Sequence, residues 1–105
     1  DLYSVMRDCA LRAQAGTLPP LPFSDMLVDE GQDTDELQRL WIFAHAAGGC
    51  RVTIVGDDDQ SIYEWRNALG FEGMRSFLEK LRAHRVELGD NFRCRSEILG
   101  PAALL

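Results

Sequence analysis

Met26-Leu27-Val28-Asp29-Glu30-Gly31-Gln32-Asp33 is a short apolar run that stops at two adjacent carboxylates. A core strand keeps charge away from its buried end, because an unpaired buried charge is expensive. Such an ending calls for solvent or for a counter-charge. A divalent metal is one counter-charge. The first acid can hold Mg²⁺ by way of water, and the second can poise a water for attack on a phosphate. The other reading is a solvent-facing acidic loop that caps the following helix. These eight residues alone do not separate the two. Two further stretches follow in the chain, Val55-Gly56-Asp57-Asp58-Asp59-Gln60 and Asn91-Phe92-Arg93.

The acid is local. Of 105 residues, 17 are acidic and 11 are Lys or Arg, giving a net charge of −6. That balance argues against a free-standing nucleic-acid binder with a basic face. Six acids and no base lie between Asp25 and Glu36, and Asp57, Asp58 and Asp59 are consecutive. Local acid of this kind suits a metal or a strand-end site, although a soluble acidic surface has the same composition. The apolar content of 46% is enough for a packed core. Cys9, Cys50 and Cys94 are scattered. They suggest neither a disulfide framework nor zinc, so a reducing, cytoplasmic compartment is expected. His45 and His84 stand alone and read as structural or surface residues. No apolar stretch approaches ~18 residues and no secretory signal is visible, so no membrane association is expected. The chain opens on Asp1 rather than Met and stops within an apolar run at Leu105, which reads as an internal fragment.

Leu2, Val5, Met6, Cys9, Ala10 and Ala13 fall at helical spacing and predict a first helix that stops near Gly16. Residues 17–22 contain three prolines and form a connector. Residues 24–28 predict a short buried strand. Asp33 or Thr34 is expected to cap a second helix, with Glu36 as the capping-box acid and Leu37, Leu40, Trp41, Ala44 and Ala47 as its apolar stripe. Gly48-Gly49 ends it. Residues 51–55 form a second strand. A strand, a helix and a strand make the two strands parallel with a right-handed crossover, and both then end in acidic loops on one sheet edge, where ligands of open parallel sheets bind. Residues 61–69 predict a helical turn and a loop. A helix is expected over residues 70–83 and a third strand over 86–88. Ser96 can cap a last helix that Pro101 kinks or ends.

Gly56 permits a close turn before the second acidic loop, and Gln60 is a neutral donor able to sense a terminal phosphate oxygen. Tyr63, Trp65 and Arg66 place two aromatics and a cation within four residues. That pattern suits stacking on single-stranded bases, at about 1–3 kcal/mol per base. Packing of Tyr63 or Trp65 into the core is the alternative. Phe92 can stack on a purine, and Arg93 can stabilise charge on a transferring phosphoryl group.

Together these stretches resemble the UvrD/Rep/PcrA-like superfamily 1 DNA helicases. Leu27-Val28-Asp29-Glu30-Gly31-Gln32-Asp33-Thr34-Asp35 matches helicase motif II. The run from Val55 to Ala68, which carries Gln60, Tyr63, Trp65 and Arg66, matches motif III. Leu88-Gly89-Asp90-Asn91-Phe92-Arg93-Cys94 looks like motif IV. The resemblance implies an α/β fold: a partial RecA-like P-loop NTPase domain, parallel strands with crossover helices, and the start of a second RecA-like domain. Residues 1–84 would be the C-terminal part of the first domain, and residues 85–105 the beginning of the second. Asp29 would hold Mg²⁺ and Glu30 would activate the attacking water. Gln32 and Gln60 would contact the γ-phosphate region of ATP. Tyr63 and Trp65 would stack on single-stranded DNA, and Arg66 would tie that DNA site to the ATP site. Phe92 would pack near adenine, and Arg93 would reach the γ-phosphate.

The implied activity is ATP-driven movement along one DNA strand, typically 3′ to 5′, with unwinding at single-strand/duplex junctions. The implied partners are DNA and the remaining helicase domains of a parent chain. Gly31 stands where the family usually has an aromatic, Asn67 where Gly is common, Phe92 where Tyr is more frequent and Cys94 where Ser is. No Gly-x-x-x-x-Gly-Lys-Ser/Thr occurs in these 105 residues, so the cradle for the β- and γ-phosphates is missing from them. The 105 residues alone are therefore expected to be inactive. Two rivals stay open: a degenerate helicase-like module that binds DNA or a partner without turnover, and an unrelated Mg²⁺-dependent nuclease or phosphatase built on Asp29, Glu30 and Asp57.

Overall fold

The computed structural model describes residues 1–57, 60 and 69–102. Helix α1, Leu2–Gln14, starts at Asp1, whose Oδ1 accepts the Ser4 N–H at 2.8 Å. That bond satisfies one of the orphan donors at the helix start. The helix ends before Gly16, which takes a left-handed turn at φ 71° into the proline-rich connector. Ala10 on its inner face is buried, and α1 packs along α2, Glu36–Ala47.

Two strands follow the connector and α2. β1, Asp25–Val28, pairs in parallel with β2, Arg51–Ile54, in the register Asp25 to Arg51 through Val28 to Ile54. The expected adjacency and direction are observed, with each strand one residue shorter than its pattern, but the first strand is not buried as expected: no residue of it is fully covered. Side chains alternate between faces. Met26, Val28, Val52 and Ile54 are half-buried, while Asp25, Leu27, Arg51 and Thr53 are exposed. Leu27 is 81% exposed, so one face of the pair has little cover. Helix α3, Gly70–Leu81, closes over the other side of α2: the Phe43 and Phe77 rings are 5.5 Å apart and Arg39 Nη1 donates to Ser76 Oγ at 3.0 Å. The buried apolar core among the described residues is Ala10, Ile42, Cys50 and Phe77. It is thin, and the radius of gyration of 16.0 Å exceeds the about 13 Å of a compact chain of this length.

Three expectations are corrected. The second helix is capped by Asp35, not Asp33 or Thr34. Asp35 Oδ1 accepts the Gln38 N–H at 2.8 Å and Gln38 Oε1 accepts the Asp35 N–H at 2.9 Å, so Gln38 takes the place assigned to Glu36. The cap moves because a 3-10 turn, Gly31–Asp33, intervenes, and it occupies the Thr34 hydroxyl, which donates to Gly31 O at 2.7 Å. Residues 86–88 form no strand: Val86 is 71% and Leu88 89% exposed. A three-residue apolar alternation finds no partner ladder among the described residues. Ser96 is the first residue of α4, Ser96–Ala102, rather than its cap, and its hydroxyl points to Glu97 Oε2 at 3.4 Å. Pro101 lies inside that helix, one residue before its end. The predicted helical turn and loop at 61–68 lie outside the described residues. No described helix is long and apolar enough to cross a membrane.

Candidate functional site

The parallel register brings the two acidic strand ends side by side. Val55 N–H donates to Val28 O at 2.8 Å, and Gly31 N–H donates to Val55 O at 2.9 Å. The chain between those bonds turns sharply at Glu30, whose backbone is left-handed at φ 51° and ψ 46°. A residue with a Cβ adopts that conformation at a cost of about 1–2 kcal/mol, and such residues concentrate at functional sites. Asp29 Oδ1 accepts the Glu30 N–H at 2.9 Å, and Asp33 N–H donates to Glu30 O at 2.9 Å. Both bonds stabilise the turn, and the Asp29 and Glu30 carboxylates are exposed at its outer side.

Gln32 lies beneath this turn with 1% exposure. Its Nε2 donates to Glu30 Oε2 at 2.7 Å, and its Oε1 accepts the Asp57 N–H at 3.0 Å. Asp57 in turn receives Gln60: the Gln60 Nε2 donates to Asp57 Oδ2 at 2.5 Å, and the Gln60 N–H donates to Asp57 O at 3.1 Å. A continuous hydrogen-bonded chain thus runs from Glu30 through Gln32 and Asp57 to Gln60, across both strand ends. Asp29, Glu30, Gln32 and Gln60 are brought together. Phe92 and Arg93 are held by a separate device: Asn91 Oδ1 accepts the N–H groups of Arg93 at 3.0 Å and Cys94 at 2.8 Å. That turn leaves Phe92 94% exposed, with Arg93 exposed beside it. Tyr63, Trp65, Arg66, Asp58 and Asp59 lie outside the described residues.

Among the described residues no cluster of three or more His, Cys, Asp or Glu side chains is arranged to hold a metal. The donor set nevertheless fits Mg²⁺. That ion keeps most of its waters and is held by one or two carboxylates together with substrate phosphates, not by an all-protein cage. An exposed Asp29 carboxylate at a strand tip provides that kind of ligand.

Two features were not legible from the pattern of residue types. The left-handed backbone at Glu30 has no local signal, because the residue itself is not glycine. The bond from Gln32 to the Asp57 backbone joins residues 25 apart and depends on the strand register.

Residues 21–80 match the family model of the UvrD/REP helicase N-terminal domain. The chain is 45% identical over 80 residues to DNA helicase II of Haemophilus influenzae, covering 76% of this chain and 11% of that protein. It is 45% identical over 84 residues to DNA helicase II of Escherichia coli, covering 79% and 12%. It is 40% identical over 89 residues to the ATP-dependent DNA helicase SRS2 of Saccharomyces cerevisiae, covering 76% and 7%. The chain thus spans about a tenth of the length of the first two relatives. With a mixed α/β fold, a parallel strand pair and a family model that covers more than half of its residues, the chain belongs to the UvrD/REP helicase family.

Proposed function

We propose that the two strand ends form the hydrolytic half of an ATP site in a DNA helicase. The hydrogen-bonded chain from Glu30 to Gln60 supports this reading most directly, because it links a carboxylate and an amide from neighbouring strand tips. Asp29 is the Mg²⁺ ligand, and the ion, when bound, neutralises charge on the transferring phosphoryl group. Glu30 takes the proton of the attacking water. Gln60 contacts the γ-phosphate region. Phe92 packs near adenine and Arg93 reaches the γ-phosphate from a second domain.

In the same proposal, residues 1–84 complete a first RecA-like domain and residues 85–105 begin a second. Tyr63 and Trp65 stack on single-stranded DNA, and Arg66 links that contact to the ATP site. The activity is ATP-driven 3′ to 5′ translocation with unwinding at single-strand/duplex junctions. It belongs to the full-length protein that supplies a phosphate-binding loop. The test is Glu30→Gln in that protein. Hydrolysis stimulated by single-stranded DNA should fall by roughly 10²–10⁴-fold while ATP binding persists. A wild-type protein that binds DNA without ATP turnover would favour the degenerate module instead.

A further inference from the structure

Gly56 sits against Gln32 more closely than any other residue type could. An ideal Cβ on Gly56 would lie 2.5 Å from Gln32 Oε1, 3.1 Å from Gly31 N and 3.2 Å from Gln32 N. Its φ is not in the left-handed region, so glycine serves here for room and not for conformation, and a Cβ would push the Gln32 carboxamide aside. That room lets the Gln32 carboxamide serve two masters: Nε2 bonds Glu30 Oε2, and Oε1 bonds the Asp57 N–H. At 1% exposure Gln32 has no ready water to replace either partner. Glu30 meanwhile keeps a backbone conformation that persists only when its surroundings hold it.

We propose that Gln32 and Gly56 are positioning residues for the Glu30 carboxylate. Gly56 provides the space, Gln32 provides the link, and together they fix the carboxylate to the loop after β2. The family resemblance implies a γ-phosphate contact for Gln32; in this fold one amide hydrogen and one lone pair of its carboxamide are committed to protein partners. The inference rests on the role proposed above for Glu30.

Steady-state ATP hydrolysis by the full-length protein with saturating single-stranded DNA tests it. Gln32→Met keeps the length and burial of the side chain and removes both bonds. Its kcat should fall roughly tenfold to a hundredfold, the scale of a small misplacement of a catalytic group, with the KM for ATP within about twofold. Gly56→Ala should give the same split. Gly56→Ala introduced on top of Gln32→Ala should cost less than Gly56→Ala alone, because the side-chain oxygen it strikes is gone while the approaches to the Gly31 and Gln32 backbone nitrogens remain. A KM raised tenfold or more with kcat retained would make Gln32 a nucleotide contact and overturn the proposal. Losses that multiply in the double variant would also overturn it, since Gly56 would then act independently of Gln32. Wild-type protein lacking turnover would overturn the Glu30 role itself, an outcome distinct from either of these.

Discussion

His45 Nε2 accepts the backbone N–H of Leu21 at 3.1 Å, across 24 residues of chain. The other ring nitrogen, Nδ1, is 2.8 Å from Trp41 O, which can only accept. Nδ1 therefore carries the proton and Nε2 is the acceptor, so both bonds define one neutral tautomer. The ring is 2% exposed and lies 4.0 Å from the Trp41 ring. Through it, α2 holds the proline-rich connector that delivers the chain to β1.

Removing this tether should destabilise the fold. His45→Ala leaves the part-buried Leu21 N–H without its partner and opens a cavity, at a cost of about 2–4 kcal/mol. His45→Gln, which can reach one of the two partners, should cost less. Urea denaturation of the variants measures both, and equal midpoints for wild type and His45→Ala would contradict the tether.

Gly31 is set by packing. A Cβ there would lie 2.5 Å from Ile54 Cγ2 and 3.1 Å from Met74 Sδ. Ile54 and Met74 fill the space beside the turn. Gly31→Ala should destabilise by about 1–3 kcal/mol through overpacking. Ile54→Ala in the same chain should relieve part of that loss. An additive double variant, measured by thermal or urea unfolding, would contradict this contact.

Arg82 ends α3 with φ 49° and ψ 43°, left-handed for a residue with a Cβ. Glycine has no steric penalty in that position but loses more freedom on folding. Arg82→Gly should stabilise by about 0.5–1 kcal/mol, read as a raised unfolding midpoint.

Asp25 begins β1 opposite Arg51, whose Nη2 is 2.6 Å from Asp25 Oδ1. The Ser24 hydroxyl and then the Arg51 guanidinium hold the Asp25 carboxyl below its ordinary range. A carboxyl lowered in the folded state adds stability at pH values above its unfolded-state titration, and that stability is lost as pH falls through the lower folded-state value. Asp25 is exposed, so the contribution is small. Unfolding midpoints followed from neutral to acid pH should converge for wild type and Asp25→Asn at the acid end, and an unchanged gap would contradict this.

The 105-residue chain by itself should not turn over ATP, because it carries no Gly-x-x-x-x-Gly-Lys-Ser/Thr loop for the β- and γ-phosphates. Clear hydrolysis by the purified chain, with single-stranded DNA present, would refute that.

The elements that declared themselves in the sequence are those carried by repeated local signals. The stripes Val5-Met6-Cys9 and Met74-Phe77-Leu78-Leu81 mark α1 and α3, and the β-branched run after the Gly48-Gly49 stop marks β2. The convergence of Glu30 and Gln60 followed from two parallel strands ending in polar loops. What stayed hidden depends on distant partners or on single dihedrals. The cap moved to Asp35 because the Gly31–Asp33 turn engages Thr34 first, and residues 86–88 form no strand because an alternation becomes a strand only beside another. The His45–Leu21 tether and the left-handed Glu30 have no periodic signature.

The claim that two strand tips serve a single triphosphate is tested most directly by a structure of the full-length protein with Mg²⁺ and a non-hydrolysable ATP analogue. Asp29 should lie beside the metal, with the Glu30 carboxylate and the Gln60 amide both within about 4 Å of the γ-phosphate or its in-line water. A γ-phosphate that meets Glu30 while Gln60 lies far from it, or a nucleotide bound away from both tips, would contradict it.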